Sequence, residues 1–535
     1  MPCKIEVKMS KYLRAIALLL LCVALLSACN GNDVSVDLPT TPPSDDGTPS
    51  EGGETLTQEG NTPESAEIAA FAPPSVIVDI TLGAEEAERF GNVRLSSDGE
   101  YLEGFEVAEQ DYCVFTAEIP ADGFYDLNFI SEGIGGAKEN FVTVNGERLG
   151  TVFTEAGGFG DAIMTRVFLA EGKNTIALER YWGWIQLKSL HITNSAPLDP
   201  AIFDVSARLI NPNANETTRR LMSYLADSYG KVILSGQYSD NGIMAGEAGV
   251  IFMATGKRPA VLGMDLIEYS PSRAERGNTS ATVERAIEAD ELGAIVTLCW
   301  HWNAPSEYIR ERDTWYRAFY TSDTNISLAK IMNGEDPEGY DLLMRDIDVI
   351  AEQLKRLQDA DVPILWRPLH EAAGGWFWWG ASGKEPYIEL WKLLYEKLTF
   401  EHELNNLIWL WNGESGDWYP GDDYVDIIGE DIYAGEHVYS SQINKFMEAV
   451  NYADTPKMVT LSENGTLIDP DLALRDGAMW GFWATWGGDF VTRGTLWLYS
   501  EKFTEEEMLI KVYNHDIVVT LEDLPDLKTY PLRDN

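Results

Sequence analysis

Two glutamates each close an apolar run in the second half of the chain: Glu371 ends PILWRPLHE (363–371) and Glu463 ends KMVTLSE (457–463). A single carboxylate at a strand end is usually a salt bridge or a helix cap, but two brought together can divide the work of breaking a glycosidic bond. With the carboxyl groups about 5 Å apart, one attacks the anomeric carbon while the other protonates the leaving oxygen and later activates water, so that configuration is retained. The acid must keep its proton near neutral pH, and a desolvating wall beside a second carboxylate favours this. Such a wall follows Glu371 directly: LHEAAGGWFWWG (369–380) places Trp376, Phe377, Trp378 and Trp379 behind a pair of glycines. Aromatic faces also stack on sugar rings without demanding ionic groups. Four in a row cannot all face a cleft, so at least one or two of Phe377, Trp378 and Trp379 are expected under the loop. A metal-dependent hydrolase finds no support, because the six histidines are scattered with no H-E-x-x-H spacing.

The elements that must position these groups form a regular series. Eight apolar runs, at 231–236, 259–265, 293–301, 363–371, 406–412, 425–433, 457–463 and 479–486, alternate with amphipathic helical stretches such as YDLLMRDIDVIAEQLKRLQDA. Eight buried strands with helical crossovers predict a (β/α)8 barrel over 200–535, whose chemistry lies at the C-terminal ends of its strands. Gln237, Asp265, His301, Glu371, Trp411, Tyr433, Glu463 and Trp483 fall at or just past those ends.

WRPLHEAAGGWFWWG and LSENG resemble the fourth- and seventh-strand motifs of glycoside hydrolase family 26, best known for endo-β-1,4-mannanases, and LSGQYSD, WHWNAP and WLWNG match its other barrel motifs in order. The resemblance runs from about Asn211 to the C-terminus. It implies Glu371 as general acid/base and Glu463 as nucleophile, with Tyr433 able to donate to Glu463, His301 meeting the sugar at the −1 subsite and His370 holding Glu371 or the sugar. Trp376 matches a tryptophan of the −1 or +1 region. Trp483 is expected as the floor of −1, with Trp302, Trp315, Trp411, Trp418 and Trp486 as weaker candidates for substrate contact, and Arg367 supports the glutamate pair by hydrogen bonds. Catalysis of this kind needs no cofactor.

Residues 75–195 change character. Short β-rich segments such as YCVFTAEI and GFYDLNFIS are separated by Gly, Asp and Asn turns, which predicts an antiparallel sandwich. VNGE (144–147) and AEGKN (170–174) read as hairpin turns. GAEEAE, ADGFYDL, VTVNG and LAEGKNTIAL, in that order, resemble carbohydrate-binding module family 35. That resemblance implies a structural calcium ion on early carboxylates, here Glu85 and Glu86, and an aspartate in the last strand, where this chain has Lys188. Trp182 and Trp184 either stack on a sugar or pack within the sandwich.

At the N-terminus, four basic residues precede the apolar run 15–28, which is too short to span a membrane comfortably and ends in LSAC. The pattern resembles a bacterial lipoprotein signal (1–28) with Cys29 as the lipidated residue; an ordinary secretory leader is the alternative. Residues 29–70, rich in Pro, Gly, Ser, Thr and acids, read as a flexible tether. A cell-envelope lipoprotein on the outer-membrane surface is expected, as a monomer. Of the remaining cysteines Cys113 and Cys299 fall in different domains, so no disulfide framework is expected. With 86 acidic and 40 basic residues and a net charge of −46, the protein is repelled by nucleic acid and acidic polysaccharides. Neutral plant β-mannans fit as partners. Rival readings are a family member acting on mixed-linkage β-glucan or β-1,3-xylan, an exo-mannobiohydrolase, and a surface lipoprotein that captures glycan without cutting it.

Overall fold

The computed structural model describes residues 74–533 except 109, 495 and 496; the leader, Cys29 and the tether lie outside them. Residues 79–194 form two antiparallel sheets packed face to face. One is ordered 94–95, 102–103, 185–194, 123–133, 160–169, with 79–83 pairing along 185–194; the other is ordered 88–90, 112–119, 172–182, 138–144, 147–154. Alternation builds the core: in Tyr112–Ile119 every second side chain is buried, and Phe115, Phe129, Leu178 and Leu190 meet between the sheets. Asn145 and Gly146 turn the 138–154 hairpin with φ of 52° and 89°, the left-handed pair that a type I′ turn requires. AEGKN does not make a hairpin. It carries the chain from 160–169 in one sheet to 172–182 in the other, because the strand before it pairs with 123–133 and the strand after it with 112–119 and 138–144.

Glu85 and Glu86 do not form a cation cage. Both are exposed, Glu86 accepts the Gly83 N–H at 2.7 Å to cap its own turn, and Lys188, at the position expected for an aspartate ligand, sets its Nζ 5.9 Å from the Phe159 ring. The residues present therefore do not fit a calcium ion.

The second half closes into a barrel of eight parallel strands: Gly236–Tyr238, Val261–Asp265, Ile295–Trp300, Ile364–Pro368, Leu407–Trp411, Ile427–Ile432, Met458–Asn464 and Trp483–Thr485. Their nearly unbroken apolar sequences reflect burial on both faces. Outward tryptophans meet the helical ring, as where Trp409 packs on Trp391 of helix Lys384–Glu396 at 5.6 Å. The crossover helices start where side chains cap them: Asn215 accepts from Thr218 N and Asp336 from Gly339 N. The first strand departs from expectation. Ile233 and Leu234 pair with Val518 and Val519 outside the barrel, and the barrel strand starts at Gly236, where a Cβ would come within 2.1 Å of the Trp483 carbonyl. Gln237 is thus buried inside the strand and donates to Thr485 O at 2.9 Å, stitching first strand to eighth.

The sandwich touches the barrel through helix Ile443–Val450 and the segment before it: Ser440 donates to Leu149 O, and Thr165 to Asn444. That segment follows Tyr433 at the end of the sixth barrel strand.

Candidate active site

Glu371 reaches the barrel mouth through strained backbone. Leu369 and Glu371, on either side of His370, have φ of 52° and 53°, in a region that costs non-glycine residues about 1–3 kcal/mol each. The Glu371 N–H compensates by donating to Asn412, to its carbonyl at 2.8 Å and its side-chain oxygen at 3.1 Å. Trp376 then folds back so that its indole N–H donates to Glu371 Oε2 at 2.8 Å. The ring lies so close to Gly374 that a Cβ there would meet it at 2.0 Å, which explains the glycine pair. Trp376 is 44% exposed, whereas Phe377, Trp378 and Trp379 are all buried. Trp378 donates to Trp302 O and Trp379 to His370 O, so the aromatic run supplies one face to the cleft and three to the ground beneath it.

Glu463, on the seventh strand, is nearly buried and accepts at both oxygens: from Tyr433 OH at Oε1 and from Arg367 Nη2 at Oε2, the latter at 2.6 Å. Arg367, fully buried on the fourth strand, also donates to Asp431 Oδ2 at 2.5 Å and to Tyr238 OH at 3.1 Å. It therefore supports Glu463 but does not bond Glu371. Asp431 is a third carboxylate of the site, absent from the sequence reading. A register irregularity between Gly429 and Asp431 turns it inward opposite Glu463, so regular alternation along IIGEDIY does not reveal it. One oxygen from each of Glu371, Asp431 and Glu463 lies within 4.8 Å of the others. Arg367 already supplies the cation that such a trio requires.

Burial first, then the charges of Asp431 and Glu463, push Glu371 up to about 8, so at neutral pH it carries a proton. Burial likewise lifts Asp431 to about 7 against the pull of Arg367. Burial raises the Tyr433 phenol, with Glu463 adding to it, which keeps Tyr433 a donor. His370 is held well below its ordinary range by burial, by Arg367 and by His301, and stays neutral. The site thus pairs a protonated carboxyl with a carboxylate held by two donors, a few ångströms apart.

Of the other expected residues, His301 lies at the mouth, its Nδ1 2.7 Å from Asp265 and its Nε2 3.2 Å from His370 Nε2. Three tryptophans are corrected. Trp302 is fully buried, stacked on Trp300 at 4.2 Å and bonded to Asp346. Trp411 is fully buried against Tyr419 and Tyr452. Trp483 points out of the barrel onto Tyr513 of helix Glu506–Tyr513. None of the three reaches the cleft. The floor beside His301 is Trp486, partly exposed, 5.8 Å from the His301 ring and 4.8 Å from Tyr238. Asn412, which bonds both Glu371 N and Ser462, was not singled out in the sequence; its signals were its place at the end of the fifth run and within the WLWNG motif.

A (β/α)8 barrel that holds a protonated carboxyl and a doubly hydrogen-bonded carboxylate within 4.8 Å at its mouth has the build of a retaining glycoside hydrolase. Residues 210–523 match glycosyl hydrolase family 26 and residues 81–195 match carbohydrate binding module family 35. The chain belongs to glycosyl hydrolase family 26. It is 42% identical over 427 residues to a mannan endo-1,4-beta-mannosidase of Thermothelomyces thermophilus, covering 79% of this chain and 85% of that one. It is 37% identical over 421 residues to mannan endo-1,4-beta-mannosidase B of Piromyces sp, covering 77% and 70%. Among solved structures it resembles the Podospora anserina GH26-CBM35 β-(1,4)-mannanase, with a TM-score of 0.60 and 38% identity over 84% of this chain and 99% of that one.

Proposed function

We propose that this protein is an endo-β-1,4-mannanase that cuts internal bonds of mannan, glucomannan or galactomannan by retaining double displacement. The observation that carries the reading is the trio at the mouth, with Glu371 protonated and Glu463 held between Arg367 and Tyr433; the mannanase names of the relatives supply the substrate. Glu463 attacks C1 while Glu371 gives its proton to the leaving oxygen, so the glycosidic bond breaks as the glycosyl–Glu463 ester forms. Glu371, now ionised, takes a proton from water, whose oxygen displaces Glu463 from C1 and regenerates both groups. Trp376, bonded to Glu371, and Trp486, beside His301, offer stacking faces for the sugar.

The sandwich module serves as a mannan-binding module, with Trp182 and Trp184, 63% and 56% exposed, as its stacking surfaces. In this reading the protein is a monomer tethered through lipidated Cys29 to the outer-membrane surface, supported by the LSAC sequence and the acidic linker. Protease shaving of intact cells tests the location: survival of the protein untouched contradicts surface display. Hydrolysis of linear mannan, konjac glucomannan and barley β-glucan by residues 30–535, beside Glu463→Ala, tests the activity. Mannan cleavage lost in the variant is expected. Cleavage of β-glucan alone overturns the substrate, and mannan binding without cleavage by the parent protein overturns the enzyme in favour of glycan capture.

A further inference from the structure

The second barrel strand ends in Asp265, a residue the catalytic scheme does not use. Its side chain is almost fully enclosed and all its bonds are local to the mouth. Oδ1 accepts two backbone N–H groups, from Ile267 at 2.9 Å and His301 at 3.1 Å. Oδ2 lies 2.7 Å from His301 Nδ1. The other nitrogen of that ring, Nε2, stands 3.2 Å from Nε2 of His370. His370 is 1% exposed, its own Nδ1 has no hydrogen-bond partner, and the next residue is Glu371 in its left-handed turn.

We propose that Asp265 is a positioning residue: it fixes the tautomers of His301 and His370 and, through His370, the setting of Glu371. The proposal rests on Glu371 being the general acid. A carboxylate only accepts, so the hydrogen of His301 is on Nδ1 and its Nε2 is a lone pair. Two facing ring nitrogens share one proton, so His370 must supply it from Nε2, and the buried unpartnered Nδ1 of His370 is then a lone pair. The opposite pattern would leave a buried N–H with no acceptor, the rarer and costlier arrangement. Both nitrogens of His301 are therefore engaged by protein, and the ring presents its edge and face to the cleft.

The two backbone bonds on Oδ1 make the consequence of Asp265→Asn specific. The amide oxygen stays where two N–H groups require it, so the NH2 takes the place of Oδ2 and meets His301 Nδ1 donor to donor. His301 can escape only by moving its hydrogen to Nε2, which makes His370 accept there and leaves His370 with a buried, unpaired Nδ1–H. Both tautomers invert together. An aspartate that fixes the tautomer of a neighbouring histidine acts in the same way in serine protease triads.

The test combines a spectrum with a choice of leaving group. In 15N-histidine NMR of residues 30–535, with His301 and His370 assigned from single His→Gln spectra, the wild type should show the proton on Nδ1 of His301 and on Nε2 of His370. Asp265→Asn should show both reversed. On mannohexaose, whose leaving group needs the acid, the variant should lose about tenfold or more in kcat/KM, toward the range that general acid–base help contributes. On a 2,4-dinitrophenyl β-mannobioside, whose leaving group needs no proton, it should keep its kcat/KM, which ends at release of dinitrophenol, before Glu371 is needed as base. Equal loss on both substrates, or a wild-type His301 protonated at Nε2 alone, overturns the proposal. If Asp265→Asn does not fold, the wild-type spectrum decides alone. A wild type that cleaves neither substrate sinks the glycosidase reading, while the spectrum still reports on the tautomers.

Discussion

Replacing Asp431 with asparagine should move the alkaline limb of the pH–rate profile down. Glu371 must be protonated to act as acid, and burial together with the charges of Asp431 and Glu463 sets its pKa at about 8. In kcat/KM the free enzyme's acid defines the upper limb, so activity of the parent falls as pH rises through about 8. An oxygen of Asp431 lies within 4.8 Å of one on Glu371; at an effective dielectric of about 20 two such charges repel by about 3.5 kcal/mol. At 1.36 kcal/mol per unit this corresponds to a shift of about 2.5 units. Side-chain relaxation and the proton that Asp431 itself partly holds near pH 7 reduce it to about one to two units. The sign follows directly: removing a neighbouring negative charge makes ionisation of Glu371 easier, its pKa falls, and the acid is lost at lower pH. Trp376→Phe should do the reverse. The indole N–H bond stabilises the ionised form of Glu371, and its loss at a half-exposed site should raise the limb by about half a unit. Initial rates on an unactivated mannooligosaccharide from pH 5 to about 10 separate the two variants. Limbs that move in the same direction, or an Asp431→Asn limb that stays near 8, would refute the electrostatic account of the acid.

Other expectations follow from the same contacts. Tyr433→Phe removes one of the two donors on Glu463; a hydrogen bond to a charged group is worth about 1.5–3 kcal/mol, so kcat/KM should fall roughly ten- to a hundredfold, and a change in KM alone would contradict the role. Trp302→Ala should cost about 3–5 kcal/mol of stability in urea melts, because the ring is fully buried and bonded to Asp346, whereas Trp486→Ala should chiefly raise KM. Equal effects of these two tryptophans on KM would overturn their separation. Calcium or EDTA should leave the Tm of the sandwich module unchanged, since Glu86 caps Gly83 and the last strand carries Lys188 where an aspartate ligand is expected; a calcium-induced rise of several degrees would show a site made by other residues.

Much of this arrangement is legible in the amino-acid sequence, for identifiable reasons. Buried parallel strands leave apolar runs in sequence, and residues that end such runs point to one mouth, which located Glu371, Glu463, His301 and Tyr433. Sandwich strands alternate, as YCVFTAEI does in both sequence and burial. What failed was phase within short or irregular strands. The eighth strand is only Trp483–Thr485, so a difference of three residues separates Trp483, facing Tyr513, from Trp486, facing His301. Asp431 was hidden by the irregularity beside Glu430. Tryptophan is the residue type for which cleft and core are hardest to tell apart in sequence, since both reward a large flat apolar ring; Trp302 and Trp411 went to the core. AEGKN has the composition of a tight turn whichever sheet the next strand joins, so only the pairing partners could show that it crosses between sheets.

The central claim is that Glu463 attacks the sugar while Glu371 supplies the proton, and the stereochemistry of the first product tests it most directly. Proton NMR of mannohexaose digestion in its first minutes reads the anomeric signal of the new reducing end before mutarotation. Carboxylate oxygens within 4.8 Å predict the β-anomer first. The α-anomer first would mean that water attacks directly, and the assignment of Glu463 as nucleophile would fall.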